Sequence, residues 1–134
     1  MRTFMLDPKM STFKGVFYPT GYAIVLFPEA KYAEEAGREL ETAGFDEEEI
    51  FIISPESILK DIGKFDGKSD VILPSVGTEG ATVRKYIDLA QKGHWGLLVK
   101  APSDDDTKNL MSIVRRLPFS YGQKYHMLAM EDLE

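Results

Sequence analysis

Gly77-Thr78-Glu79-Gly80, followed one turn on by Arg84 and Lys85, is the segment of this 134-residue chain best provided for chemistry. Backbone N–H groups at a helix start can hold an anion, glycines let a ligand come close to the backbone, and two cations add attraction. A small anionic ligand is the expected occupant. Glu79 works against it, and the same residues also read as a turn in which Thr78 caps a helix. The lysine-serine ending of a phosphate-binding loop is missing, so nucleotide hydrolysis is not indicated. His94 and His126 are the only histidines, and 32 positions separate them, which is not a metal-ligand spacing. His126 is the better candidate for ligand contact, because a polar ring among apolar strand residues needs a partner.

Other chemistry is limited by what the chain lacks. Without cysteine there are no disulfides, no thiolate metal sites and no thiol nucleophile. Twenty-two carboxylates give no acid–base pair that can be picked without geometry, and no Ser-His-Asp order is recognisable. No catalytic residue is assigned, and neither a metal nor a cofactor is expected. Trp95, Tyr22 and Tyr125 could line a pocket on a sheet, although aromatic residues on strands more often form core.

The formal charge of −6, with acids gathered at residues 46–49, 104–106 and 131–134, would repel a phosphate backbone, so nucleic acid is not an expected partner. Those clusters read as solvated element ends. At 43% hydrophobic content the chain can build one sizeable core. Asp7, Pro8 and Lys9 interrupt the first ten residues, so neither a signal peptide nor a membrane anchor is expected, and a cytoplasmic location follows as the default.

The elements that must position these residues are read from periodicity. Residues 22–27 are apolar on both parities, as in a central strand covered on both faces. Ala33, Ala36, Gly37, Leu40 and Ala43 form the stripe of a helix over about 29–43, stopped by Gly44. Residues 50–53 form a strand, and Ser54-Pro55-Glu56 opens a short helix to about 62. A glycine-containing loop over 63–77, with apolar Val71-Ile72-Leu73, leads to a helix over about 79–92 that Gly93 stops. Residues 95–100 form the next strand. Ser103 and Asp106 have capping-box spacing at the start of a helix that buries Leu110, Ile113, Val114 and Leu117, and a last strand spans about 124–130.

This order predicts an α+β ferredoxin-like sandwich, βαβ-βαβ with an antiparallel four-stranded sheet. Residues 1–20 form an N-terminal arm, and 21–134 a single domain with a helical insertion at 54–93 between its second and third strands. Both parities of the first strand are apolar, so something must cover the second sheet face: the insertion, the arm or a second subunit. A homodimer is the expectation. Phe45 and Ile50 after the first long helix, with Tyr86, Gly93 and Trp95-Gly96-Leu97-Leu98-Val99 later, resemble the bacterial general stress protein domain over about residues 21–115. The resemblance implies a ferredoxin-like fold and brings no catalytic residues with it. The expected function is a non-enzymatic regulatory or stress-associated small-ligand-binding protein. The alternative is a small cofactor-independent enzyme of the dimeric α+β type, with its pocket between the sheet and the inserted helices.

Overall fold

The sheet is built from the strands that the apolar runs predict, lengthened at each edge by a short strand. In the computed structural model, residues 1–7, 10, 17–63, 77–127 and 129–134 are described. The strands are β1 (Arg2–Thr3), β2 (Tyr22–Phe27), β3 (Ile50–Ile53), β4 (Trp95–Lys100), β5 (Tyr121–Tyr125) and β6 (Met130–Asp132). The helices are α1 (Ala30–Thr42), the single turn α2 (Pro55–Ser57) running into a π-helical turn Ile58–Ile62, α3 (Gly77–Gln91) and α4 (Asp104–Val114). The sheet order is β1-β3-β4-β2-β5-β6, antiparallel throughout except for the parallel β1–β3 pair. The fold is therefore α+β around a mostly antiparallel six-stranded sheet, two strands more than the four expected.

Local signals account for the helix ends. Ser103 Oγ accepts from the Asp106 N–H at 3.0 Å while an Asp106 carboxylate oxygen accepts from the Ser103 N–H at 3.3 Å, a reciprocal cap that fixes the start of α4. Ser54 Oγ accepts from the Ser57 N–H at 3.1 Å, with Pro55 in the first turn of α2. Caps of this kind are each worth about 1 kcal/mol. After α1, Gly44 adopts φ +100°, so that its own N–H reaches the Glu41 carbonyl and that of Phe45 reaches Leu40.

Strand β2 lies in the middle of the sheet and is buried on both parities. Ala23, Val25 and Phe27 face α1 and α4, joined there by Ile50, Leu97 and Val99 from neighbouring strands. Ile24 and Leu26 face the other way with Ile53, Leu98 and Tyr125. That second layer consists of Val83, Tyr86, Leu89 and Ala90 of α3, Ile58 and Ile62 of the π turn, and Phe4 and Phe17 of the arm. The chain thus covers both faces of its own sheet, and the homodimer expected from an open face has no open face to rest on. Truncating one of these enclosed side chains, such as Ile24→Ala, should cost about 2–5 kcal/mol.

The last predicted strand, 124–130, is two strands. β5 starts earlier, at Tyr121, the His126 N–H bonds the Ala129 carbonyl, and β6 returns from Met130. The pattern misleads at the start because Gln123, polar by type, is buried at 2% exposure, beside Lys124 at 1%. Gln123 donates to Tyr121 in its own strand and to Asp132 across the hairpin, and Lys124 to Ala101 and Thr107, 23 and 17 positions away. The apolar run 71–73 lies outside the described residues.

Candidate functional site

Tyr22 opens β2 and stands opposite Lys100, the last residue of β4. Both side chains converge on Glu49, in the 3-10 turn just before β3: the Tyr22 hydroxyl lies 3.1 and 3.2 Å from the two carboxylate oxygens and Lys100 Nζ 3.4 Å from one of them. The Tyr22 ring leans on Phe51, centroid to centroid 6.4 Å. Burial, then the charge and hydrogen bond of Glu49, raise the Tyr22 hydroxyl to about 12. Tyr22 therefore stays protonated at neutral pH and serves as a donor.

Glu49 and Lys100 line a cleft of about 270 Å³, together with Gly44 and Phe45 after α1, Pro102, and Asn109 of α4. The cleft shares Ala43 and Asn109 with a shallow groove between α1 and α4. Asp46 and Asp106 also line it. Each already holds a backbone N–H, Asp46 that of Glu48 and Asp106 that of Ser103.

At the same end of the sheet, Lys124 stands opposite Ala23 on β2 and Glu131 on β6. Its Nζ donates to the Ala101 carbonyl and to Thr107 Oγ1, the latter at 3.0 Å. Burial lowers the Lys124 ammonium below lysine's ordinary value, against the opposing charges of Asp104, Glu131 and Asp106.

The residues singled out from the sequence are distributed rather than convergent. Gly77 and Thr78 are the first residues of α3 and Gly80 is buried in its first turn. Arg84 and Lys85 are exposed, with Lys85 Nζ 5.9 Å from the centroid of the Tyr121 ring. His126 Nε2 lies 3.0 Å from a Glu131 carboxylate oxygen, and the His126 carbonyl accepts from the Tyr18 hydroxyl. Among the described residues, no hydrogen bond or ion pair joins Arg84 or Lys85 to His126. Trp95 packs on the α1 and α4 side of the sheet, whereas Tyr22 and Tyr125 lie on the α3 side, so Trp95 does not share a pocket with the other two.

His94 has the partner that its sequence position did not suggest: its Nε2 lies 2.9 Å from Ser120 Oγ. A serine–histidine pair invites a nucleophilic reading. His94 Nδ1, however, is buried without a hydrogen-bond partner. A general base would need Nε2 bare and the proton on Nδ1, which would bury an N–H with no acceptor. The favoured tautomer carries the proton on Nε2 and donates it to Ser120, which leaves no base to activate the hydroxyl.

Among the described residues no helix is long and apolar enough to cross a membrane, and no group of three or more histidine or acidic side chains could hold a metal ion. Comparison with known protein families, curated proteins and solved structures gave no match. The sequence missed Tyr22, Glu49, Lys100 and Lys124 as a group. One available signal was that Tyr22 and Lys100 stand at the ends of two predicted strands.

Proposed function

We propose that the protein is a non-enzymatic small-ligand binder, regulatory or stress-associated, whose ligand sits in the cleft between the end of α1 and the start of α4. The observation that carries this reading is the fixed Glu49 carboxylate, restrained by Tyr22 and Lys100 at the wall of a cleft large enough for a small metabolite. The surrounding titratable groups favour binding over turnover. Tyr22 and Lys100 are committed to Glu49, Lys124 to Ala101 and Thr107, and Asp106 to the α4 cap. The four central strands follow the order β3-β4-β2-β5, which supports a ferredoxin-like core with two added edge strands. A homodimer, if formed, would use a surface other than the covered sheet face.

Titration of isotope-labelled protein with a metabolite panel, followed by amide chemical shifts, tests the proposal. Selective shifts at Gly44, Glu49, Lys100 and Asn109, lost in Glu49→Gln, are expected. The panel includes small anions, with Arg84→Glu as the control for binding at the start of α3. A panel that moves none of the cleft amides removes the proposal.

A further inference from the structure

Gly37 lies inside α1, where a glycine costs stability relative to alanine, and its missing side chain is the space that the Met1 thioether fills. A Cβ at position 37 would overlap Met1 Sδ and stand 3.2 Å from Met1 Cε and 3.6 Å from Leu97 Cδ1 of β4. One turn further along α1, Glu41 accepts from the Met1 amino group. Met1 thus pins the front of β1 on the α1 side of the sheet, while Phe4 packs on Phe17 on the other side and donates its N–H to the Ile52 carbonyl at 3.0 Å. With only two residues, β1 has little ladder of its own to hold it on β3. The Met1 side chain keeps 16% exposure, within reach of a small oxidant, whereas Met10 and Met111 are buried.

We propose that Met1 is a reversible oxidation site whose sulfoxide releases β1 from the edge of β3. The Sδ lone pair attacks one oxygen of hydrogen peroxide and the O–O bond breaks. The displaced hydroxide takes the proton from the transferred oxygen and leaves as water; the sulfur is oxidised and the peroxide reduced. The sulfoxide oxygen is a polar acceptor, and the nearest walls of the notch, apolar Leu97 and a Gly37 N–H already used within α1, give it no donor. The oxidised side chain therefore leaves the notch for water. The contact with Glu41 that stays is a partly exposed ion pair and contributes little, so β1 frays from its first residues and the outer edge of β3 opens at Phe51 and Ile52. The cleft plays no part in this.

Met5 and Met127, at 79% and 80% exposure, would consume oxidant first, so the test uses the full chain carrying Met5→Leu and Met127→Leu, treated with dilute hydrogen peroxide. Peptide mapping should place one added oxygen on Met1 before Met10 or Met111. Hydrogen exchange should then show lost protection at Phe4 and over residues 50–53, with the protection of β2 and β4 retained, and a methionine sulfoxide reductase should restore it. Gly37→Ala gives a second route, since the new Cβ displaces Met1 without oxidation: the unoxidised variant should already lack that protection, and peroxide should remove no more. If this variant does not fold, the oxidation experiment decides alone. Unchanged protection once Met1 is oxidised, oxidation of Met10 or Met111 ahead of Met1, or full protection in folded Gly37→Ala each overturns the proposal.

Discussion

The Tyr86 and Tyr125 hydroxyls share a 2.6 Å hydrogen bond in the fully buried layer between α3 and the sheet. One residue comes from the inserted helix and the other from β5, 39 positions later, so the bond fixes how the insertion lies on the sheet. Burial, with Tyr125 as the next contributor, pushes the Tyr86 hydroxyl well above its ordinary value, so Tyr86 stays protonated. Tyr121 packs on Tyr86 at 5.9 Å, and Phe17 and Tyr18 pack on Tyr125 at 5.9 and 4.9 Å.

Replacing Tyr86 by Phe should destabilise the fold by about 1–3 kcal/mol, because a buried hydroxyl loses this partner. The double variant Tyr86→Phe, Tyr125→Phe should cost less than the sum of the single ones. Urea denaturation of the four proteins measures the coupling, and strict additivity would mean that the bond contributes nothing.

Tyr22 should titrate near pH 12 in an alkaline titration followed by tyrosinate absorbance. Its folded value lies above the ordinary 10.0, so its contribution to stability is complete below pH 10 and is lost as pH rises through about 12. Glu49→Gln should lower the titration without returning it to 10.0, because burial, the largest cause, remains. Tyr22→Phe removes the step altogether.

Lys124→Met should cost about 1–3 kcal/mol at neutral pH, since the Ala101 carbonyl and Thr107 hydroxyl lose their buried donor. The pH dependence has the opposite sign to that of Tyr22. With the folded value lowered, the unfolded chain binds the proton more tightly, so this group makes stability rise with pH up to its ordinary 10.5. Denaturation midpoints across that range should lose this rise in Lys124→Met.

Gly63→Ala should destabilise by about 1–3 kcal/mol through overpacking. A Cβ at Gly63 would stand 2.6 Å from Ile87 Cγ1, where the π turn meets α3. Ile87→Ala in the same chain should recover part of the loss in thermal melts.

Light scattering after size exclusion should return the single-chain mass of 15.1 kDa at micromolar concentration. Both sheet faces are packed by the chain itself, which removes the drive that a bare apolar face would supply.

Signals confined to a few neighbouring residues were readable in the sequence. The Ser103–Asp106 capping box, the Ser54-Pro55 start and the two-sided apolar β2 all form as expected, because each depends on local geometry or simple periodicity. Tyr22 and Glu49 are 27 positions apart, and Lys124 and Ala101 are 23 apart. Nothing in the pattern announces such pairings, since sheet order and register create them. The same dependence hid the start of β5, where Gln123 is polar by type and buried only because Tyr121 and Asp132 receive its side chain. The preference for His126 over His94 rested on a continuous strand through position 126, whereas the chain leaves β5 at Tyr125.

Strands β1 and β6 are two and three residues long, and they occupy the two ends of the hydrogen-bond ladder. Between them run Tyr22–Phe27 and Ile50–Ile53, uncharged segments of high β propensity without proline, the composition from which cross-β fibrils are built. An edge this short gives an incoming strand little template, and on β6 the exposed Glu131 and Asp132 repel another acidic chain. Conditions that detach β1 would lay Ile50–Ile53 open along its full length while the rest of the fold persists. The shortest strand of the sheet is therefore the element expected to keep Ile50–Ile53 from pairing with another chain, and erosion of that edge ahead of global unfolding is the expected route to aggregation.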